Sequence, residues 1–393
     1  MGLSKNIREN LWAILYFVCL VPISVNGISI NYTFVLIPVI YIFLYGRIFY
    51  PDSYICFFAV VYLIIFLSSL IVNVNNIEFL HRRIISFLIF ISMFSLSFIR
   101  ISHEMERAFV KAIILISILL SLISIIKFFS GGGNSLYFEA KDIVGSQRYG
   151  FLYIMAFWLI YMSICNNIIH KFVKNLFIAI VVIGVFLTFS RASVVSLVFS
   201  YILYVFFLII SNKYDINKTI VYFLYSIFVS VLIILMLFFL FPMVAEFFSL
   251  RLFQFLSNFD SIEENISNSA TSEGTRFAIW KYTVIYVLNS PFFGSGYLGI
   301  WAIQDNFGSV HNQYFDVLLR TGILGFLIYI YMLLKIGKKL YRNRQSMFFG
   351  YVGVIVFGLF HETFKESQGL FILSFILLMS FKCYDNISSN FVD

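Results

Sequence analysis

Residues 274–325 read GTRFAIWKYTVIYVLNSPFFGSGYLGIWAIQDNFGSVHNQYFDVLLRTGILG. Here the long apolar runs that dominate the chain give way to polar and turn-forming residues. Arg276 opens an amphipathic segment, Pro291 breaks it, and Gly294 and Gly296 permit a turn through positive φ. His311 and Asn312 stand at the mouth of the next apolar run. No other stretch gathers so many special-purpose residues, so the fold and the chemistry both have to account for it.

Outward from this stretch, composition sets the class. The 393 residues are 61% hydrophobic and 12% charged, with a mean hydropathy of +0.95. A soluble domain has roughly 25% charged residues, so most side chains here face lipid or other helices. Apolar runs of about 15–23 residues are long enough to cross a ~30 Å hydrocarbon core as helix. Strict alternation is absent, which argues against a transmembrane β-barrel. The sequence therefore specifies an all-α polytopic membrane protein, read as one integral membrane domain over residues 1–393.

Spans are expected near 11–27, 33–46, 54–72, 84–99, 108–128, 150–165, 176–190, 192–210, 219–241, 313–334, 347–361 and 369–381, about twelve transmembrane helices. The Gly-rich segment 129–149 reads as a loop. Residues 242–311 read as a large loop between the ninth and tenth spans. Within it, 243–258 has the pattern of a helix lying in the interface. Lys5 and Arg8 precede an apolar run without a convincing cleavage site, so the first helix is expected to be retained. Cys19, Cys56, Cys165 and Cys383 match no metal or redox spacing.

Basic residues set the orientation. Lys171, Lys174, Lys213, Lys218 and the cluster Lys335, Lys338, Lys339, Arg342 and Arg344 fall on one side, with both termini. By the positive-inside rule that side is the cytoplasm. The net charge of +8 is thus a matter of topology, and nucleic acid is not an expected partner. Residues 242–311 and the ends at Arg191 and His361 then face the opposite compartment. So do Arg82, Arg83, Arg148, Arg191, Arg251 and Arg276. Single arginines there can snorkel to headgroups; as a set they point to an anionic ligand, for which arginine supplies bidentate phosphate recognition.

Three positions stand out chemically. Ser190-Arg191 pins a charge between two short apolar helices, either as a hairpin turn with a snorkelling arginine or as a cation presented to phosphate at membrane level. Arg276 lies in the first turn of its segment, where a cation opposes the helix dipole; Glu273 or an anionic ligand would compensate it. His311, with Asn312, Tyr314 and Asp316 after it, titrates near neutrality and could accept a proton from a hydroxyl. His361 and Glu362 read as structural, as does the 289–296 turn, which lacks the Lys-Ser/Thr of a phosphate loop. No metal motif and no nucleophile elbow is present.

Taken in order, TFSRAS at 188–193, TRFAIW at 275–280, SPFFGSG at 290–296, HNQYFDVLL at 311–319 and TGILG at 321–325 resemble the O-antigen polymerase and O-antigen ligase superfamily of bacterial envelope glycosyltransferases. QRYG at 147–150 is similar to an earlier arginine motif of that family. Arg320, where an acidic residue is more usual, and Ala192, where some members have glycine, depart from the pattern. The resemblance implies a GT-C-like inner-membrane enzyme with both termini cytoplasmic. Its donor would be an undecaprenyl-diphosphate-linked oligosaccharide at the periplasmic face.

On that resemblance Arg148, Arg191 and Arg276 bind the diphosphate, Asn312 and Tyr314 contribute to substrate binding, and His311 activates the acceptor hydroxyl. His311, Arg276 and Arg191 form the catalytic set, transfer is inverting, and no metal or other cofactor is needed. A polymerase of surface polysaccharide is the preferred expectation, with a chain-length regulator and membrane lipid as candidate partners. A ligase transferring glycan to lipid A-core is the nearest alternative. A lipid-linked-oligosaccharide flippase is more distant, because the polar residues gather at outer helix ends rather than at the midplane.

Overall fold

The computed structural model describes residues 5–21, 24–25, 28–45, 50–72, 79–130, 149–162, 171–188, 190–210, 221, 272–303, 309–364 and 367–381. Among these, the chain is helical apart from an antiparallel pair of two-residue strands, Ser24–Val25 with Ile28–Ser29. The α-helices are α1 (Lys5–Leu20), α2 (Ile37–Tyr45), α3 (Ser53–Val72), α4 (Leu80–Ile91), α5 (His103–Ser130), α6 (Gly150–Tyr161), α7 (Lys171–Leu187), α8 (Arg191–Ile210), α9 (Ser272–Asn289), α10 (Gln313–Asn343), α11 (Gln345–Phe357) and α12 (Ser367–Phe381). Among the described residues, five segments are long and apolar enough to cross a membrane: Ser53–Val72, Leu80–Phe98, His103–Ile126, Arg191–Ile210 and Gln313–Asn343. The expected span near 219–241, the interfacial helix at 243–258 and Arg251 lie outside the described residues, Val221 excepted.

Helices α6, α8 and α10 all pack against α11. Gly150 at the start of α6 lies against Ser193 of α8 and Phe357 at the end of α11. Deeper, the indole Nε1 of Trp158 donates to Ser200 Oγ at 2.9 Å, and its ring packs on Tyr204 and Phe349. Contacts therefore run from 150 and 193 against 357 to 158 and 204 against 349, which makes α11 antiparallel to both α6 and α8. Tyr314 Oη donates to Ile355 O and Tyr351 Oη to Leu333 O, both at 2.8 Å, so α10 is antiparallel to α11 as well. Helices α6, α8 and α10 consequently begin at one end of the bundle, where α11 ends. Small residues at these crossings let the backbones approach, as in packed membrane helices generally.

The other end is basic and cross-braced. Lys335 and Lys339 of α10 sit over the Tyr54 ring of α3, and Lys339 also covers Phe381 at the end of α12. Arg344 pairs with Glu106 of α5. Glu9 of α1 pairs with Lys111 at 2.5 Å and Arg107 at 3.4 Å. The first turns of α1 and α5 and the last turns of α10 and α12 thus share an end, as the distribution of basic loops implies.

One element departs from the expected pattern. The run 313–334 reads as an uninterrupted span, yet α10 is broken at Gly322, whose φ of 65° and ψ of −170° are not helical. Gly322 lies about 13 Å along the axis from Gln313, at 1.5 Å per residue. A break at that depth strands backbone groups that no water can satisfy. Residues 290–297, expected as a turn directing the chain back to the membrane, occupy it instead. Ser295 N donates to Leu319 O at 2.7 Å, Tyr297 N to Arg320 O at 2.9 Å, and Ile323 N to Pro291 O at 2.8 Å. Each of these α10 groups would otherwise pair within the helix.

This loop is a re-entrant element of the core. Gly294 has a φ of 55°, and a Cβ there would lie 2.7 Å from Gly322 N. The two glycines meet backbone to backbone, so neither tolerates a side chain. Tyr297, at a φ of 70° and fully buried, packs edge-on to Phe66, Phe87 and Phe90. Its hydroxyl donates to Tyr62 O at 3.4 Å, and Tyr62 Oη donates to Gly325 O at 3.2 Å. Tyr62 lies about 15 Å along α3 from Val72. Within the expected 242–311 loop, residues 294–297 are therefore buried among α3, α4 and α10.

Candidate active site

The end of the bundle where α6, α8 and α10 begin and α11 ends carries the expected site residues. Arg191 is the first residue of α8 and is exposed. Arg148 lies outside the described residues; Gly150, two positions on, stands beside Ser193 and Phe357. His361 stacks on Phe357 at 4.6 Å. Gln313 N donates to Gly358 O at 2.8 Å, which fixes the start of α10 against the end of α11.

Helix α9 brings Arg276 to this rim. Trp280 stacks on Phe315 at 5.5 Å, and its Nε1 donates to Val310 O at 3.1 Å. From there α9 runs inward, because Ser290–Gly294 reach Leu319 and Gly322. Arg276, one turn before Trp280 and so on the same helix face, is half-buried on the rim side of the Trp280–Phe315 stack. The side chain of Glu273, its expected intramolecular partner, lies outside the described residues.

His311 precedes α10 with a φ of 56°. Asn312 is the N-cap: its Oδ1 accepts from Tyr314 N at 2.9 Å and Phe315 N at 3.1 Å, and its Nδ2 donates to Leu359 O at 2.8 Å. Tyr314 gives its hydroxyl to Ile355 O. The two residues expected to contact substrate thus hold the start of α10 in place. Asn312→Ala is expected to lower stability by about 1 kcal/mol through loss of the cap, read as thermal unfolding of the protein in detergent. Asn312→Asp should recover the cap but not the Leu359 bond.

Below the rim lies a buried ionic pair that sequence reading missed as a unit. Arg320 Nε is 2.7 Å from Asp316 Oδ2, and its Nη1 donates to Tyr297 O at 3.2 Å. It thereby ties the re-entrant loop to the inward end of the first half of α10. An acid and an arginine four apart inside an apolar run were a legible signal, since they share a helix face and cannot be left unpaired. Arg83 of α4 is buried beside Gly296 and interacts electrostatically with Tyr286 of α9. Arg82 instead covers the Trp301 ring at 5.0 Å.

The fold and this rim define a polytopic helical membrane protein with Arg191, Arg276, His311 and His361 gathered at one end. Residues 176–330 match the family model described as O-Antigen ligase (Wzy_C), the superfamily that the ordered motifs resemble, whose members are glycosyltransferase-like enzymes. An uncharacterized protein of Haemophilus influenzae is 33% identical over 86 residues, which cover 19% of this chain and 21% of that one. The chain thus spans about a fifth of the length of that relative.

Proposed function

We propose that this protein is a surface-polysaccharide polymerase of the bacterial inner membrane. It transfers an undecaprenyl-diphosphate-linked glycan to the non-reducing end of another lipid-linked repeat unit at the periplasmic face. The observation that carries the reading is the meeting, at one end of the bundle, of the starts of α6, α8 and α10 with Arg276 of α9. Phosphate-competent arginines and a neutral-range base there are what transfer from a lipid diphosphate requires.

In this mechanism the acceptor hydroxyl oxygen attacks the anomeric carbon from the face opposite the phosphate. The bond between that carbon and the phosphate oxygen breaks, and the diphosphate leaves with its electron pair. Arg191, Arg276 and Arg148 stabilise that developing charge, while His311 takes the hydroxyl proton. Inversion follows from single displacement. Because arginines supply the positive charge, no divalent cation is required. Chelation by EDTA is expected to leave transfer by the purified protein unchanged; loss of activity restored by Mg²⁺ would refute the metal-free step.

The ligase reading is favoured by one observation, the description of the matching family model. Deletion of the gene, with gel analysis of surface glycan, separates the two. A polymerase leaves a single repeat attached to core and no ladder. A ligase leaves core bare while lipid-linked polymer accumulates. Against a flippase stands the chemistry of the α10 break. Transporters leave the ends of broken helices to their substrate, whereas here Leu319 O, Arg320 O and Ile323 N are taken by residues 291–297.

A further inference from the structure

We infer that Glu362 and Trp280 are positioning residues, which clamp the backbone of Val310 on both sides and thereby hold His311 in the geometry the transfer step needs. The inference rests on the reading of His311 as the group that activates the acceptor. His311 occupies the left-handed region, at a φ of 56°, which a residue with a Cβ keeps only when its surroundings over-determine it. Those surroundings are specific. Glu362 Oε1 accepts from Val310 N, and Trp280 Nε1 donates to Val310 O at 3.1 Å. Ser309 Oγ accepts from His311 N at 3.1 Å, and Asn312, the next residue, is anchored as the N-cap and to Leu359 O.

Three separate elements therefore converge on residues 310–312: α9 through Trp280, the segment after α11 through Leu359 and Glu362, and the start of α10. Val310 is fully buried and Glu362 nearly so. A buried carboxylate is a strong acceptor but needs compensation, and Arg320 attracts it electrostatically. The stack of Trp280 on Phe315 fixes the indole so that its N–H meets the carbonyl. A displacement of about 1 Å at a catalytic group costs on the order of 100-fold in rate. Pinning both the N–H and the C=O of the preceding residue is a direct means of preventing it.

The test is steady-state transfer by the full-length protein in nanodiscs, with undecaprenyl-diphosphate-linked repeat units as donor and acceptor. Glu362→Ala is expected to lower kcat by about 10- to 100-fold, with KM for the lipid-linked units within about twofold. Glu362→Gln keeps a carbonyl oxygen for Val310 N and should recover most of kcat. Trp280→Phe keeps the stack on Phe315 but removes the N–H, and should lower kcat in the same way. Because both act on one residue, the double variant should fall short of the product of the two losses. Unchanged kcat in Glu362→Ala, a Gln variant as impaired as Ala, or multiplicative losses would overturn the inference. Should Glu362→Ala fail to accumulate, the Gln and Phe variants decide it by the same criteria. If His311→Ala transfers at the wild-type rate, the underlying catalytic reading fails. If His311→Ala is inactive while Glu362→Ala and Trp280→Phe are normal, only the positioning role fails.

Discussion

Gly322→Ala is expected to abolish accumulation of folded protein in the membrane. At a φ of 65° and ψ of −170° the residue sits in a region essentially open to glycine alone. An added Cβ would also run into the backbone of Phe292 and lie 2.7 Å from Gly294 N. Backbone strain and overpacking together cost on the order of 3 kcal/mol or more, a large share of a total stability of about 5–15 kcal/mol. No rearrangement relieves the clash cheaply, because the atoms it meets are backbone of Phe292 and Gly294, whose neighbours Pro291, Ser295 and Tyr297 are bonded to Ile323, Leu319 and Arg320. Gly337→Ala in the same helix is the control. There a Cβ would meet Tyr351 at 3.6 Å, an ordinary contact, and helix propensity favours alanine by about 0.5–1 kcal/mol. Membrane levels by immunoblot and unfolding temperature in detergent read both variants; normal levels of Gly322→Ala would show that the break is not required.

His311→Ala is expected to lower glycan chain extension by about 10²–10⁴-fold while the protein reaches the membrane at normal levels. The side chain belongs to a half-buried rim residue, and alanine leaves the Asn312 cap and the Val310 contacts in place. Arg191→Ala and Arg276→Ala should each cost about 10²–10³-fold, as loss of one group stabilising a developing anion does. Lysine at either position should restore only part of the rate, since it lacks the bidentate fork. The surface-glycan ladder reads all of these together. Near-normal laddering in His311→Ala, Arg191→Ala and Arg276→Ala would refute the enzymatic reading.

Much of this was legible in one dimension. Apolar runs located the five described segments that are long and apolar enough to cross a membrane, since a helix satisfies its own backbone. Arg191 and Gln313 fall at helix starts on one rim, as the hydropathy breaks before them indicate. The re-entrant loop was not legible in the same way. SPFFGSG and RTGILG each read as local punctuation, a turn and a pair of small residues in a span. That they complete each other depends on hydrogen bonds between residues some 25 positions apart, which no periodicity records. Glu362 was similarly opaque: one acid at a helix end is ordinarily structural, and its bond to Val310 N crosses 52 positions.

By itself the sequence determined the class of protein, the rough places of the five described segments able to cross a membrane, and the gathering of basic residues at one end of the bundle. Those properties follow from transfer free energies and charge, which are nearly additive along the chain. Only the tertiary structure decided that residues 290–297 enter the core, that Gly322 breaks α10 to receive them, and that Arg320 and Asp316 are mutual partners. The reason is that a backbone group removed from water must find a partner wherever one exists, and in this molecule the partners are distant in sequence and adjacent in space.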